Sequence, residues 1–388
     1  MTEKLYYIDS HMKKFAAKVL SCEQVKDRFE VILDRTAFFP EGGGQLADTG
    51  KIGNVEVFDA HEKSGEVVHY VNQPLPVGES FECEIDWLQR FRRMQNHSGE
   101  HIVSGLVHNR FGFDNVGFHM GKDAVTIDFD GDISREQLQE IEREANLAVA
   151  ANLRVSTSFP ESERLKEMQY RSKLELTENV RIVEIEGVDT CACCAPHVYS
   201  TAEVGIVKIL ASERRRRGGE GVRVTMLCGL DAWEYLCKIH DNNSAISTLV
   251  STPREETAKA VERILADNEK LKGRVSELGR EVAALRSAAI PETEGNICIF
   301  DSVLDEPALR DIVNAAMEKC GGVAAVFSGS DEGGYRYIIG SKNVDLRVNG
   351  KVINAGICGR GGGKPEMIQG SCTASAETIK DFLSKFIV

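Results

Sequence analysis

The sequence predicts a multidomain α+β protein. Its 388 residues exceed what a single hydrophobic core usually organises, so we expect about two to four domains. Residues 1–88 carry short runs of alternating apolar and polar residues, such as 29–33 and 55–58, and glycine and proline separate them. This pattern predicts a β-rich N-terminal subdomain. Farther along, helical spacing is mixed with strand-like runs, which is typical of helices packed on an antiparallel sheet.

The elements of the first half follow from local patterns. The glycines at 42–44 are expected on a loop between strands. From His97 onward the apolar residues recur at helical spacing, and 136–153 predicts a second helix. Strands are expected at 180–185 and 204–210, where β-branched residues are frequent.

Two long helices are predicted after residue 230, at 231–250 and 255–288, with Pro253 between them. The second helix has apolar residues at the a and d positions of a heptad repeat, and Asn268 occupies an a position. Such a helix is either the stem of a dimer or one arm of a hairpin packed on 231–250. Both readings stay open, because fewer than about four heptads is a weak coiled-coil pattern.

The last hundred or so residues predict a compact α/β domain. Strands are expected at 297–300, 323–327 and 335–339, and helices near 307–319 and 376–386.

Composition favours an intracellular protein. The N-terminus has no basic segment followed by an apolar core, and no run approaches about 18 apolar residues, so we expect neither export nor membrane insertion. The 11 cysteines, an odd number, favour free thiols and metal ligation over a disulfide framework. We predict a cytoplasmic location.

Two motifs offer metal ligands four residues apart, His97 with His101 and Cys193 with His197. Residues i and i+4 share one face of a helix, so the first pair can hold a single ion. Three imidazoles and a thiolate form a complete tetrahedral set for zinc. Buried thiols or a purely structural zinc site would give the same pattern. Cys191 stays an alternative ligand, because in a strand it shares a face with Cys193.

Three segments resemble the editing domain of alanyl-tRNA synthetases and of the freestanding AlaX proteins. Residues 86–101 resemble the start of that domain, 38–50 its glycine-rich motif, and 193–197 its Cys-x-x-x-His element. The motifs occur in the family's order, and the resemblance spans about residues 1–228. It implies one zinc ion per chain, held by His97, His101, Cys193 and His197.

The chain departs from the synthetase pattern near the metal motifs. Cys194-Ala195-Pro196 stands where synthetases usually have Gly-Gly-Thr, and the proline removes a backbone donor. Position 100 is Glu where synthetases commonly carry Thr. The ligands are intact, but groups that face the substrate are expected to differ.

The segment 358–370 resembles the glycine-rich element of the DHHA1 domain that ends alanyl-tRNA synthetases. It is not a Walker A loop, because Pro365 stands where Ser or Thr would bind magnesium. Its glycines permit close approach of a polyanion, and Arg360 and Lys364 add positive charge, so both are expected to bind nucleic acid. The whole chain therefore resembles a long AlaX protein.

Combined with the resemblance, the patterns divide the chain into four parts. They are a β-rich N-terminal subdomain (1–88), an α+β zinc-binding tRNA editing domain (89–229), a helical hairpin or coiled coil (230–290) and an α/β DHHA1-like domain (291–388).

The net charge of -13 is unfavourable for RNA binding, but a polyanion requires only local positive charge. Two arginine clusters flank the metal motifs: Arg90, Arg92 and Arg93 before the first, and a run of four that begins with Arg214 and Arg215 after the second. An isolated run of this kind is usually a solvated loop. Beside an editing-like sequence, the clusters are expected to contact tRNA.

The resemblance implies a trans-editing aminoacyl-tRNA deacylase that hydrolyses Ser or Gly from mischarged alanine tRNA. Gln45 and the backbone of Gly42, Gly43 and Gly44 are expected to position the ester. His119 is expected either to contact the amino acid or to be a packed core histidine. Zinc with four protein ligands has no open position, so a pocket-ordering and a catalytic role both stay open.

Other functions fit part of the pattern. One is threonyl-type editing of Ser-tRNA(Thr), although the glycine-rich loop and the DHHA1-like segment argue against it. Another is a noncatalytic tRNA-binding protein with a structural zinc. No aminoacylation core is expected, because the editing-like sequence begins almost at Met1. The expected partners are alanine tRNA and a second copy of the chain, bound through 255–288 or the C-terminal domain.

Overall fold

The chain forms two compact units, Met1–Asn242 and Asn243–Val388. The structure, a computed structural model, describes residues 1–121, 123–172, 179–215 and 220–386. Both units contain helices and strands, so the predicted mixed α+β, multidomain class is confirmed. Within those ranges, every helix is too short or too polar to cross a membrane.

The first unit begins with a closed six-stranded barrel. The barrel strands are β2 (Lys14–Val25), β3 (Arg28–Leu33), β5 (Gly50–Ile52), β6 (Val55–Lys63), β7 (Glu66–Val71) and β8 (Ser80–Ile85). A short flanking pair consists of β1 (Glu3–Lys4) and β4 (Arg35–Thr36). The barrel order is β2-β3-β7-β6-β5-β8, and β1 pairs with β4. Phe15, Val19, Leu33, Ile52 and Val57 fill the interior, because alternate residues of each strand face inward.

The helix α1 (Trp87–Phe111) follows the barrel and carries the first metal motif. Asp86 caps its N-terminus by accepting a hydrogen bond from the Gln89 amide at 3.1 Å. The helix is buried on all sides from residue 94 to residue 105. Two glycines make this possible: a Cβ at Gly99 would lie 2.2 Å from Cys228 Sγ, and one at Gly105 would lie 2.5 Å from Val188 O.

Two antiparallel sheets complete the first unit. The elements are β9 (Asn115–Met120), β10 (Val125–Phe129), α2 (Arg135–Ala150), β11 (Val155–Ser158), α3 (Ser162–Glu167), β12 (Ile182–Ile185), β13 (Asp189–Ala192), β14 (Val207–Arg214), β15 (Val222–Cys228) and the first part of α4 (Gly229–Leu249), a helix that crosses the boundary of the unit after Asn242. One sheet has the order β14-β15-β10-β9 and the other β11-β12-β13. They share a hydrophobic core with α1 and α2. The strand expected at 204–210 begins later, at Val207, because Thr201–Val204 forms a 3-10 turn.

The second unit is a five-stranded sheet with helices on both faces. Its elements are α5 (Thr257–Ala288), β16 (Ile297–Phe300), α6 (Glu306–Met317), β17 (Ala324–Ser330), β18 (Gly334–Gly340), α7 (Leu346–Gly356), β19 (Gly359–Lys364), β20 (Met367–Cys372) and α8 (Ala376–Lys385). The strand order is β16-β17-β18-β20-β19, with only the β16–β17 pair parallel. Residues alternate along β17, so Val326 packs with α6 and the end of α5, whereas Phe327 packs with α7 and α8.

The heptad stripe of α5 is exposed along most of the helix. Val261 and Leu271 are 40% and 66% exposed, and Asn268 is exposed too. Near the C-terminal end the helix joins the core of its own unit through Ala283. The dimer stem and the hairpin both stay predictions, and the exposure of the stripe favours the dimer stem.

Candidate metal centre

The four predicted ligands meet in the first unit. The ligand atoms of His97, His101, Cys193 and His197 all lie within 4.8 Å of one another. The first two are one turn apart on α1, Cys193 follows β13 directly, and His197 lies on the loop after it. The three histidines are each 2% exposed, so the centre is buried.

Two of the histidines are oriented by hydrogen bonds from Nδ1. His97 Nδ1 donates to Gln45 Oε1 at 2.9 Å, and His101 Nδ1 donates to Asp189 Oδ2 at 2.9 Å. A histidine whose Nδ1 is bound in this way presents Nε2 to a metal. Arg171 holds the Asp189 carboxylate in turn, with Nε at 2.7 Å from Oδ1.

The third histidine and the cysteine complete a tetrahedral arrangement. His197 Nδ1 lies 3.0 Å from Ser98 Oγ, which again leaves Nε2 for a metal. Cys193 Sγ lies 3.4 Å from His197 Nε2 and 3.6 Å from His97 Nε2. Tetrahedral zinc bonds of about 2.1 Å to nitrogen and 2.3 Å to sulfur put these atoms about 3.5 Å apart. The residues therefore fit a zinc ion.

The electrostatics favour the ligand forms of two side chains. Burial alone would raise the pKa of the Cys193 thiol, but His97 and His197 beside it hold that pKa well below its usual value. Burial lowers the pKa of His197 to about 3. Thiolate and neutral imidazole are the forms that bind a metal. For His101 burial also favours the neutral form, yet Cys191 and Asp189 hold its pKa well above the usual value.

Cys191 belongs to a second, overlapping group with His101 and Asp189. Burial raises the pKa of its thiol to about 11, which disfavours the thiolate. The opposite pKa directions of the two thiols therefore favour Cys193 as the sulfur ligand.

The loop that carries Cys193 is fixed by a residue that the sequence did not single out. Arg181 Nη1 donates to Cys193 O at 2.9 Å and to Ala195 O at 2.8 Å. The Ala195 amide donates to Cys193 Sγ at 3.5 Å. The loop is thus held on both sides although Pro196 supplies no donor.

A cavity of about 920 Å³ opens beside the centre, which is within the size range of small-molecule sites. His97, His101 and Cys193 line one side, and Gly43 and Gly44 line another. The glycines have φ of +59° and +82°, and a Cβ at Gly44 would lie 2.6 Å from the Phe118 ring. The loop therefore requires glycine in order to pack closely against β9.

The structure places two further predicted site residues. Gln45 is buried, and its Oε1 accepts the hydrogen bond from His97 Nδ1, so it orients that histidine. Its contact with the ester stays a prediction. His119 is exposed, so the packed-core alternative for it is wrong. Its contact with the amino acid also stays a prediction.

The first arginine cluster is not a basic surface patch, so that expectation is wrong. Arg90 is fully buried and pairs with Asp48. Arg93 donates to the carbonyl of Ala47, and Arg92 pairs with the acidic start of α4. These positive charges are compensated by contacts between α1 and neighbouring parts of the chain.

The other basic residues occupy surface positions. Arg214 ends β14 and is exposed, and Arg215 Nη1 donates to Glu220 O at 3.4 Å. The remaining two arginines of that run lie outside the described residues. Arg360 and Lys364 are exposed on β19, the edge strand of the second unit.

Comparison with models of known protein families identifies the class of proteins to which the chain is similar. Residues 180–223, which include Cys193 and His197, match the model of the threonyl and alanyl tRNA synthetase second additional domain. Residues 2–89, which include the barrel and the glycine-rich loop, match the model of class II (A) tRNA synthetases. The chain is thus related to domains of these synthetases.

Relatives similar along the whole chain give the family. The alanyl-tRNA editing protein AlaX-L of Pyrococcus horikoshii is 29% identical, over 98% of this chain and 97% of that protein. The alanyl-tRNA editing protein Aarsd1 of Rattus norvegicus is 25% identical, over 94% and 93%. The alanine–tRNA ligase of Methanopyrus kandleri is 30% identical over 95% of this chain, which spans only 42% of the ligase. The chain is thus similar, along nearly its whole length, to AlaX-type alanyl-tRNA editing proteins.

Proposed function

We propose that the protein is a freestanding deacylase that hydrolyses Ser or Gly wrongly esterified to alanine tRNA. One observation carries the proposal: a His3Cys centre opens onto a cavity of about 920 Å³ lined by the glycine-rich loop. Two relatives that align over nearly their whole length are named alanyl-tRNA editing proteins, which supports tRNA as the partner.

The reaction is hydrolysis of the ester between the amino acid and the terminal ribose. Water adds to the carbonyl carbon, the bond to the ribose oxygen breaks, and free amino acid and intact tRNA leave. Backbone N–H groups of Gly43 and Gly44 are suitably placed along the cavity to stabilise the oxyanion that develops. A bound zinc would supply positive charge that polarises or orders groups in the pocket.

An aromatic part of the cavity lining suits the terminal adenosine. Tyr7 and Phe159 line it, and their rings lie 5.5 Å apart, edge to face. Aromatic side chains bind the bases of single-stranded nucleic acid by stacking. With the amino acid toward the metal centre, the adenine would then lie against this aromatic pair.

Contacts with the rest of the tRNA are proposed at two places. They are Arg214 and Arg215 in the first unit, and Arg360 and Lys364 on β19 of the second unit. The DHHA1-like character of the second unit is also a proposal. A second cavity of about 590 Å³ includes Arg360 in its lining. We retain the dimer through 255–288 or the C-terminal domain and the cytoplasmic location as proposals.

A deacylation assay with Ser-tRNA(Ala), Gly-tRNA(Ala) and Ser-tRNA(Thr) tests the proposal. We expect hydrolysis of one or both mischarged alanine tRNAs and little of Ser-tRNA(Thr) or of correctly charged Ala-tRNA(Ala). Preference for Ser-tRNA(Thr) would make the protein a threonyl-type editor. Binding of all tRNAs without hydrolysis would make it a noncatalytic binding protein.

A further inference from the structure

A buried carboxylate lies where the metal centre meets the cavity. Glu100 is 3% exposed and lines the cavity together with His97, about one turn before it on α1, and His101, the next residue. A buried carboxylate is costly unless charged or hydrogen-bonding groups compensate it. Ser104 Oγ donates to Glu100 Oε1 at 2.6 Å, and Asn115 Nδ2 donates to the same oxygen.

The other carboxylate oxygen points toward the metal centre. Glu100 Oε2 lies 3.9 Å from His101 Nε2, the atom that the hydrogen bond from Nδ1 to Asp189 presents to a metal. The two donors on Oε1 therefore fix the carboxylate with Oε2 at the inner end of the cavity.

The substrate class of the proposed function carries a complementary charge. An aminoacyl ester has an α-ammonium group on the carbon next to the reacting carbonyl. A cavity that holds the carbonyl near the metal centre therefore brings this ammonium to the inner end as well. A carboxylate that is fixed in place at this end of the cavity is a suitable partner for it.

We propose that Glu100 binds the α-ammonium group of the esterified amino acid and so selects esters with a free amino group. The inference rests on the proposed deacylase function and names a specificity residue within that site. N-acylated esters, including peptidyl-tRNA, lack the ammonium and cannot form this charge-assisted hydrogen bond with Glu100. Charge-assisted hydrogen bonds of this kind correspond to a discrimination of roughly 10- to 100-fold.

Binding of a non-hydrolysable analogue tests the inference on the full-length protein. The probe is seryl-3′-amino-3′-deoxyadenosine, in which an amide replaces the ester, with its N-acetyl form for comparison. Calorimetry should show the free amine binding about 10- to 100-fold more tightly to the wild type. In Glu100→Gln, which keeps size and an acceptor oxygen, the ratio should fall to within a few fold. Glu100→Thr, with the residue of the synthetases, should behave in the same way.

Asp114→Asn is the matched control, because Asp114 is a second carboxylate that lines the cavity but is exposed. Its ratio should equal that of the wild type. An unchanged ratio in both Glu100 variants, or no binding of either probe to the wild type, would overturn the inference. Loss of zinc from Glu100→Gln would also overturn it, because Glu100 would then be a metal ligand. Amine-selective binding without ester hydrolysis would instead refute the deacylase function alone.

Discussion

Replacing Arg90 by methionine should strongly destabilise the first unit. The guanidinium is fully buried, with Nε donating to Asp48 Oδ2 at 2.8 Å. Nη1 donates to Ser10 O at 2.9 Å and Nη2 to Ala37 O at 2.5 Å. Methionine has similar length but no donor, so it leaves a buried carboxylate without its main counter-charge and two carbonyls without these donors.

The expected loss in the free energy of unfolding is about 3–5 kcal/mol, the usual cost of removing one partner of a buried ion pair. Total stabilities of domains are only about 5–15 kcal/mol, so the loss should be easily measured. Both tryptophans, Trp87 and Trp233, lie in the first unit, so their fluorescence during urea denaturation reports its unfolding. Adding Asp48→Asn to the variant should restore part of the loss, because it removes the unpaired charge.

Arg92→Met provides the control, because Arg92 is an adjacent but partly exposed arginine that pairs with acidic residues of α4. It should lose no more than about 1 kcal/mol. Equal losses in the two variants, or a loss below about 1 kcal/mol in Arg90→Met, would refute the argument that this buried pair joins α1 to the barrel.

Three further predictions concern pH, metal and salt. Burial lowers the pKa of His69 to about 4, below the value of about 6.5 in the unfolded chain. The unfolded chain therefore binds a proton more readily, so the free energy of unfolding is highest above about pH 6.5 and decreases as pH falls. By about pH 5 the loss is about 2 kcal/mol, and His69→Gln should flatten the pH dependence of the free energy of unfolding. Cys193→Ser should abolish the binding of about one zinc per chain in metal analysis, whereas Cys191→Ser should retain it. Neutralising Arg360 and Lys364 together should reduce the salt slope of tRNA binding by about one to two units.

Each of these measurements has its own control. His61→Gln changes a more exposed barrel histidine, so the free energy of unfolding of this variant should depend on pH as in the wild type. If both variants flatten the pH dependence equally, the buried His69 is not the cause of that dependence. Zinc retained by Cys193→Ser but lost by Cys191→Ser would reverse the ligand assignment. The control for the salt dependence is Lys342→Gln, because Lys342 lies on the same unit and pairs with Glu318. An unchanged salt slope in the variant that lacks the charges of Arg360 and Lys364 would argue against their contacts with tRNA.

The ligand set was readable from the sequence because spacing alone puts His97 and His101 on one helical face. Their hydrogen-bond partners were missed, since Gln45 and Asp189 are distant in sequence from the histidines they orient. For Asp189 a pattern was present: it precedes Cys191 and Cys193 by two and four residues, which is one face of a strand.

Other errors have equally physical causes. A run of charges does not reveal burial, so Arg90 was read as a surface group although Asp48 compensates it inside the protein. The helix α7 was missed because glycines at 350 and 356 weaken its pattern, even though Asp345 is a good N-cap. The strand β19 has no apolar alternation, since four of its six residues are glycine, and only pairing with β20 makes it a strand.

Single-turnover deacylation tests the central claim most directly. With the protein in excess over Ser-tRNA(Ala) or Gly-tRNA(Ala), we predict release of the free amino acid and of tRNA that can be charged again. Cys193→Ala should lose most of this rate, while Cys237→Ala, which changes a cysteine of α4 that does not line the cavity, keeps it. Equal rates for the wild type and Cys193→Ala, or no release above the spontaneous rate for either tRNA, would contradict the assignment of ester hydrolysis to this centre.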